Sequence, residues 1–330
     1  MAITLAQAKV GLTNKVDQQV IDSFRRNSFL LDKLTFDDSV SPGTAGSTLV
    51  YGYNRLKTPG YAAFRALNAE YTAGHAIRES KTATLAIFGG SFEIDRVLAN
   101  TSGVVNEIDF QIQQKVKAAV NHFHYNVING DTAVDANGFD GLSKALTSSS
   151  TEINTTAVLD LSTEANITSN YLAFIALLES MLAELDGEAN AIMVNPKLKV
   201  KINGVARRAG YYSQIEDAFG RKVDTFAGVP ILDMGYYLSD NSGSVAVNPV
   251  VPIVARTVGT AQTGLTDIYA ARLALDGFHG ASVTGDKIVK TYLPDLQAPG
   301  AVKKGEVEFI ATPVLKSSRA AGVLRNIKVE

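Results

Sequence analysis

Residues 104–130 read VVNEIDFQIQQKVKAAVNHFHYNVING, and this stretch decides the fold class of the chain. Its apolar residues recur at spacings of three and four, which places them on one face of a helix, while Glu107, Gln114 and Asn121 occupy other faces. We therefore predict a long amphipathic helix over 104–128, about 37 Å long at the standard rise. The residues expected on its core face are Ile108, Ile112, Val116, Phe123 and Val127.

Upstream, residues 48–98 have the pattern of a hairpin with a large tip. Residues 48–53 and 82–88 alternate as strands do, with Ala83, Leu85 and Ile87 on one face. The residues between them, 54–81, show no convincing regular element, yet they carry aromatic side chains that argue against plain disorder. Such a loop needs a surface to lie on. The residues that the loop would bring to that surface are Lys57, Tyr61, Phe64 and Tyr71.

Downstream, helices and strands follow in an order that predicts an α+β fold. We expect a Ser/Thr-rich link at 147–156, then a helix containing Phe174 and ending near a cap at Gly187. A buried strand at 191–194 precedes Asn195 and Pro196, an N-cap and a first helical position. A turn at Gly228 and Pro230 opens the strand 228–232. Further strands are expected at 250–255, 267–273, 307–315 and 322–329.

Composition excludes several classes of protein. Hydrophobic residues make up 46% of the 330 residues and charged residues 19%, which is globular. The absence of cysteine removes disulfides and thiolate chemistry, and a net charge of −2 provides no field that would attract nucleic acid. The sequence shows neither a membrane span nor a secretory signal, so we expect a soluble protein that stays in the cell that makes it.

Residues 1–47 carry only a weak helical signal, with Val16, Val20 and Phe24 at spacings of four. We interpret them as an arm whose apolar partner lies outside its own domain. An ordinary first helix of the core fits the periodicity equally well.

The sequence lacks the common signatures of catalytic and metal-binding sites. The phosphate-loop, dinucleotide and nucleophile-elbow motifs are all missing. His122 and His124 are two apart on a helix, so they point to different sides and are expected at a surface or an interface. The run from Asp131 to Asp140 lacks the glycine and glutamate of a calcium loop. We therefore predict no catalytic residue, cofactor or metal.

Two further patterns have ordinary structural interpretations. Asn129-Gly130 and Asn137-Gly138 are interpreted as turns that need positive φ. Residues 301–330 contain six basic and three acidic residues, and this basic excess fits either weak phosphate contact or a solvated surface.

Four local sequences together resemble one known family. VINGDTAVDANGFDGLSKAL (127–146) is similar to the junction after its long helix, and AIMVNPKLKVKI (191–202) to its strand, Asn-Pro and helix. GRKVDTFAGVPILDM (220–234) and IYAARLALDGFHGASV (268–283) resemble two of its strands. The family is that of tailed-bacteriophage major capsid proteins with the Hong Kong 97-like fold.

The resemblance implies a division of the chain. The parts are an N-terminal arm (1–47), an extended hairpin loop (48–98), a peripheral domain with the spine helix (99–141 and 301–330) and an axial domain (142–300).

The resemblance also implies a function and partners. Copies would form the pentamers and hexamers of an icosahedral head around double-stranded DNA. They would contact the DNA weakly and non-specifically. A portal protein would be a further partner, and no membrane would be involved. We favour a separate scaffolding protein, because the hairpin is reached by about residue 48. The protein would be located in the virion after assembly in the host cytoplasm.

Three alternatives remain at this point. An encapsulin-type nanocompartment shell shares the fold but packages enzymes, a soluble α+β enzyme would need a catalytic signature, and a tail-tube or decoration subunit should lack the long helix.

Some relatives cross-link the subunits of their shells with lysine–asparagine isopeptide bonds. Lys57, Lys81 and Asn326 are ordinary candidates without an activating environment in the sequence, so we predict a noncovalent shell.

Overall fold

The computed structural model describes residues 30, 33–40, 49–97, 107–210, 213–216, 222–238, 247–283 and 288–330. Most of the predicted arm lies outside these residues. The helices are α1 (Glu107–Asn129), α2 (Leu142–Ala145), α3 (Glu164–Ala183) and α4 (Pro196–Ala209). The strands are β1 (Phe36–Val40), β2 (Val50–Thr58), β3 (Ile77–Thr84), β4 (Ala86–Asp95), β5 (Glu152–Asp160), β6 (Ala191–Val194), β7 (Ser213–Glu216), β8 (Lys222–Phe226), β9 (Val229–Asp233), β10 (Tyr236–Leu238), β11 (Val247–Pro249), β12 (Val254–Val258), β13 (Thr260–Ala271), β14 (Phe278–Val283), β15 (Val289–Tyr292), β16 (Val302–Leu315) and β17 (Ala321–Lys328).

The predicted long helix is confirmed as α1, and it lies on one face of a five-stranded sheet. The order of that sheet is β1-β14-β16-β15, with β4 paired to β16 along ten residue pairs. Phe123 of α1 stacks on Phe88 of β4 with ring centroids 5.5 Å apart, and Phe88 stacks on Phe309 of β16 at 5.3 Å. The strand residues Phe88 and Phe309 and the helix residue Phe123 thus form one aromatic layer between the sheet and α1.

The second sheet has eight strands, in the order β5-β17-β13-β6-β9-β8-β7 with β12 beside β13. Its middle strands are buried on both faces, which matches their nearly continuous apolar sequence. One face packs against α3 and α4, and the other joins a core that includes Phe123, Met193 and Tyr269. The two sheets and α1 therefore share a hydrophobic core.

Strands β2 and β3 form a separate two-stranded sheet. The hairpin is thus present, but two details of its prediction were wrong. The strand expected at 82–88 is split at Leu85, because β4 leaves the hairpin to pair with β16. Leu85 and Ala86 are consequently both buried, while Ile87 is 54% exposed. The ladder also reaches Thr58 and Ile77, so the irregular part is shorter than predicted.

Other predictions need correction. Residues 152–156 of the predicted link are the first part of β5, whose parallel pairing with β17 supplies the backbone partners that a free link would lack. Helix α3 ends at Ala183, four residues before Gly187. The strand expected at 250–255 is β12, which begins only at Val254.

Neither Gly130 nor Gly138 adopts the positive φ that was predicted for the turns after α1. A Cβ on Gly130 would lie 2.3 Å from the carbonyl oxygen of Phe139. The chain returns so closely to the end of α1 that a side chain has no room.

The sheets do not follow the predicted boundary at residue 301. Strands β14 and β15 join the sheet of β16, whereas β17 joins the eight-stranded sheet. The division into peripheral and axial domains stays a prediction. Among the helices in the described ranges, none combines the length and the apolar character needed to cross a membrane.

Candidate assembly surface

The hairpin is anchored at its base by a polar cluster. The hydroxyl of Tyr51 donates a hydrogen bond to Asp37 Oδ2 at 2.7 Å and lies 3.4 Å from Nε2 of the buried His279. Lys316 Nζ lies 3.7 Å from Asp37 Oδ2 and 5.5 Å from the centre of the Tyr51 ring. Burial lowers the pKa of His279, and the charge of Lys316 lowers that pKa further. A neutral imidazole therefore fits this cluster.

Arg55 adds a second anchor farther along β2. Its guanidinium donates to the carbonyl oxygens of Leu315 at 2.7 Å and Lys316 at 2.9 Å. Tyr53 donates to the same Leu315 oxygen at 3.3 Å. Since β16 ends at Leu315, these bonds use carbonyls that sheet pairing leaves available, and they hold the first half of the hairpin against the body.

Beyond Arg55 the hairpin leaves the body. Every residue from 56 to 78, here called the tip, is exposed. Lys57, Arg65 and Arg78 against Glu70 give the tip a formal charge of +2 with its histidine neutral. Its exposed large apolar residues are Leu56, Tyr61, Phe64, Leu67, Tyr71 and Ile77. A projecting segment with this much exposed apolar surface is typical of an interaction site.

The tip has some internal order. The Arg65 guanidinium lies 5.5 Å from the centre of the Tyr71 ring and donates to the carbonyl oxygen of Ala69 at 3.2 Å. Gly74 lies against the Tyr61 ring, where a Cβ would come within 2.4 Å. These contacts shape the tip without covering Phe64, which is fully exposed.

The predicted core face of α1 divides into two parts. Phe123 and Val127 are buried in the shared core. Ile112 and Val116 are half-buried and pack against the cluster that contains Phe309. Ile108, in the first turn of the helix, is also half-buried.

The predicted turn residues lie in the eight-stranded lobe. Asn195 is a buried N-cap of α4, accepting a hydrogen bond from the Leu198 amide at 2.8 Å, and Pro196 is the first helical residue. Gly228 has φ +81° in the turn between β8 and β9, and Pro230 pairs with Thr225 across that turn. These residues shape the lobe, and the structure does not bring them near the hairpin residues into one site.

The sheet that carries α1 has a second face, which we call the open sheet face. Along β16, odd-numbered residues from 303 to 311 are buried and even-numbered ones are exposed or half-buried. Strand β4 alternates in register with it, so that Ile87 lies opposite Ile310. The residues that the register places on this face are Ile87, Gly89, Ser91, Glu93, Asp95, Lys290, Tyr292, Val302, Lys304, Glu306, Glu308 and Ile310.

Histidine and carboxylate positions correct part of the sequence interpretation. His124 is buried within its own chain rather than at a surface, and burial lowers its pKa to about 4. Asp131 and Asp140 both pair with Lys144 Nζ, at 2.6 and 2.9 Å. Among the residues in the described ranges, no group of three or more His, Asp or Glu side chains is placed to hold a metal ion.

The basic excess near 301–330 is partly internal, contrary to both of its predicted interpretations. Lys303 is buried and donates to the carbonyl oxygens of Ala298 and Pro299. Arg325 is nearly buried between Glu152 and Asp267. Two of the six basic residues therefore stabilise the fold.

The three residues considered for a lysine–asparagine isopeptide bond lie in ordinary surroundings. Asn326 is buried with φ +66°, and its amide donates to Asn154 Oδ1 at 2.8 Å and to the Thr155 carbonyl oxygen at 3.1 Å. Lys81 pairs with Glu79 at 3.3 Å. Lys57 lies on the exposed tip.

Sequence reasoning missed the anchors Tyr51, Tyr53 and Arg55, and it missed Leu67 in the tip. The alternation of Tyr51 and Tyr53 on one strand face was a usable signal for the base of the hairpin. No sequence signal marks Arg55, because its partners are backbone carbonyls more than 250 residues away along the chain.

Comparisons with known proteins agree with this architecture. The sequence model of a family described as SU10 major capsid protein matches residues 55–229, just over half of the chain. No curated protein sequence matches the chain.

Solved structures share the fold at low sequence identity. The SrpI encapsulin complex of Synechococcus elongatus PCC 7942 matches with a TM-score of 0.65 at 14% identity, over 100% of this chain and 97% of that chain. The capsid of the Myoviridae phage XM1 matches with a TM-score of 0.56 at 14% identity, over 98% and 99%. The capsid of a native GTA particle gives 0.58 at 12% identity, over 98% of each.

Proposed function

Because the chain belongs to the SU10 major capsid protein family, we propose that its copies associate as pentamers and hexamers into an icosahedral head around double-stranded DNA. The chain is a structural protein of a virion, and its α+β fold is Hong Kong 97-like. The match to a capsid family favours a phage head over the encapsulin-type alternative, since likeness at 14% identity extends to the fold alone.

The observation that carries the proposal is the exposed tip. A segment with Tyr61, Phe64 and Tyr71 exposed gains by burial, and burying one such side chain contributes about 1.5–3 kcal/mol. In our proposal the tip lies over an adjacent subunit, with Lys57 at its margin. The arm would bury its apolar residues in the same way. The lobe of α1 is then the peripheral domain and the lobe of α3 and α4 the axial domain.

The remaining roles follow from the proposed shell. The chain has no catalytic role, cofactor or membrane contact in this proposal. It joins a portal protein and a separate scaffolding protein in the host cytoplasm, and it meets DNA only through weak non-specific contact, in keeping with its net charge of −2.

Electron microscopy of the expressed chain, alone and with its scaffolding protein, tests the assembly. The sharp variant replaces residues 59–76 with Asn-Gly, because Thr58 and Ile77 are paired and a two-residue turn closes such a hairpin. We expect faceted shells from the unmodified chain and only free subunits or capsomers, with unchanged melting, from the variant. Tubes from the unmodified chain, or normal shells from the variant, would contradict the proposal.

Two readouts on purified virions refine it. Nuclease-protected DNA is expected inside, whereas an enzyme cargo would favour the nanocompartment alternative. Virions boiled in detergent should release one band at the 35.1 kDa monomer mass, since we propose noncovalent contacts. A surviving ladder of multimers would reveal cross-links, and Lys57→Ala would then show whether Lys57 is the donor.

A further inference from the structure

Three asparagines in the chain are followed directly by glycine: Asn129, Asn137 and Asn203. Such an asparagine can react with its own backbone, because the nitrogen of the next residue can reach the side-chain carbonyl carbon and close a five-membered ring. Glycine favours the reaction, since it has no side chain to obstruct the approach and its backbone adopts conformations closed to other residues. The fold decides which of the three asparagines has that freedom.

Asn129 is held in place by hydrogen bonds and by packing. Its side-chain amide donates to the carbonyl oxygen of Val250 at 2.6 Å and to that of Tyr125 at 3.2 Å. The following Gly130 is enclosed so tightly that a Cβ there would lie 2.3 Å from the carbonyl oxygen of Phe139. The side chain of Asn129 is therefore not free to turn toward the nitrogen of Gly130.

Asn203 is held by a regular helix. It lies in the interior of α4, where the backbone amide of Gly204 belongs to the hydrogen-bonded ladder of the helix. Its side-chain amide donates to Asp224 Oδ2 at 3.1 Å. Ring closure would need both this bond and the helix to open, so we expect Asn203 to be protected as long as α4 is folded.

Asn137 has neither restraint. It is exposed in a turn of the segment between α1 and α2. Its backbone amide donates to Asp135 Oδ1, and the amide of Gly138 donates to the Asp135 carbonyl oxygen, each at 3.0 Å. In the described part of the chain, the side-chain amide of Asn137 has no hydrogen-bond partner. A backbone hydrogen bond in an exposed turn opens easily, which frees the nitrogen of Gly138.

We propose that Asn137 is the site at which this chain deamidates spontaneously. The nitrogen of Gly138 gives its proton to hydroxide and bonds to the side-chain carbonyl carbon (Cγ) of Asn137. The bond from Cγ to the side-chain nitrogen breaks, and that nitrogen takes a proton from water and leaves as ammonia. Water then opens the succinimide ring at either carbonyl, which leaves aspartate or isoaspartate. In sum, one water is consumed and one ammonia is released.

The product adds a negative charge at the rim of a cleft. The cleft has a volume of about 700 Å³ between β4, α1 and the segment after α1, and its lining includes Asn137 and Gly138. The charged residues of the lining are Lys115, Asp131 and Asp135. One lysine against two aspartates gives a formal charge of −1, with the histidine neutral, and deamidation changes it to −2.

Isoaspartate would also disturb packing. It lengthens the main chain by one methylene group two residues before Phe139, which is buried and lies edge-on to Phe123 with ring centroids 5.6 Å apart. Because protein interiors are closely packed, a displaced ring loses contacts. The isoaspartate form therefore weakens the attachment of this segment to α1, which the aspartate form keeps.

Mass spectrometry of aged protein tests the assignment. The folded chain is incubated in mildly alkaline and in mildly acidic buffer and is then digested briefly with trypsin. Cleavage leaves Asn129 and Asn137 in one peptide, where fragmentation distinguishes them, and Asn203 in another. Deamidation raises the mass by one dalton. We expect the gain at Asn137 alone, and faster in alkali because the attacking nitrogen has to lose its proton.

A denatured sample separates the effect of the fold from that of the local sequence. In guanidinium chloride the restraints on Asn129 and Asn203 vanish, so all three asparagines should deamidate. An isoaspartyl methyltransferase with a labelled methyl donor should label the peptide of Asn137 from aged folded protein. An unchanged Asn137 in the folded chain, or a gain at Asn129 or Asn203 as fast as that at Asn137, would overturn the inference.

Two glycine variants form a matched pair. Gly138→Ala places a methyl group beside the attacking nitrogen, and its Cβ would lie 3.3 Å from the Asp135 carbonyl oxygen, so the turn should stay folded. Gly204→Ala adds the same group in α4, where the nearest atoms are 3.9 Å away. We expect Gly138→Ala to suppress the gain at Asn137 and Gly204→Ala to leave it unchanged, with normal melting of both. Undiminished deamidation of Gly138→Ala would contradict the ring closure.

Discussion

Phe123 and Phe64 place the same side chain in opposite surroundings. Phe123 is 3% exposed and stacks on Phe88, whereas Phe64 on the hairpin tip is fully exposed. The first contributes to the fold of one subunit, and the second contributes nothing to that fold. The core and the tip thus divide the apolar residues of the chain between folding and assembly. Subunit stability and shell formation should therefore respond to different substitutions.

Phe123→Ala should have the largest effect on the subunit. Removing a buried ring from the layer with Phe88 and Phe309 is expected to lower the free energy of unfolding by about 3–5 kcal/mol. Denaturant unfolding of the free subunit measures this. A change below about 1 kcal/mol would mean that the aromatic layer does not hold α1 to the sheet.

His124 should make the stability of the core depend on pH. Its folded pKa of about 4 lies below the ordinary value of 6.5, so the unfolded chain binds more protons between these values. Stability is therefore full above pH 6.5 and is lost as pH falls toward 4, by about 3 kcal/mol from this group. His124→Leu should remove that part of the slope. Identical slopes for both proteins would contradict the assignment.

Asn195→Ala should have a smaller effect. The variant loses the N-cap bond to the Leu198 amide and the donor to Thr266 Oγ1, which is 2.6 Å away. We expect a loss of about 1–3 kcal/mol. Thr163→Ala is the matched control, because it removes an exposed N-cap from α3 and should cost about 0.5 kcal/mol. Equal losses would show that the burial of Asn195 adds nothing.

Phe64→Ala should have the smallest effect on the subunit and the sharpest on assembly. Stability should change by less than about 0.5 kcal/mol, since an exposed side chain has no native contacts to lose. Shell yield by sedimentation should fall strongly. Two outcomes would contradict the assignment of Phe64 to assembly. One is a clear loss of subunit stability, and the other is a normal yield of shells from a subunit of unchanged stability.

The sequence predicted the elements that local pattern determines. Helix α1 has a single apolar stripe, and Asn195-Pro196 has the chemistry of a helix start, so both were found. Strand β5 was missed because it begins inside the Ser- and Thr-rich stretch 147–156, which resembles a loop, and only pairing with β17 makes it a strand. That pairing joins residues about 170 positions apart, which no local window contains.

The candidate surface was predicted in the same uneven way. The aromatic residues of the tip were visible as residues without a local partner. The open sheet face was not, because its residues come from β4, β15 and β16 and become neighbours only through the register. The burial of His124 and Lys303 was missed for the same reason, since tertiary packing overrides the usual exposure of these residue types.

The pairing of β4 with β16 has a consequence for the timing of folding. Residue 86 meets residue 311, so this sheet has very high contact order and cannot close until the ribosome has released β16. At about 5–20 residues per second, β4 waits on the order of ten seconds or more for its partner. A nascent chain arrested before residue 302 should therefore remain sensitive to protease in the region of β4. A chain that ends before residue 302 would therefore lack the partner strand of β4, and the aromatic layer of Phe88 and Phe123 would lose Phe309.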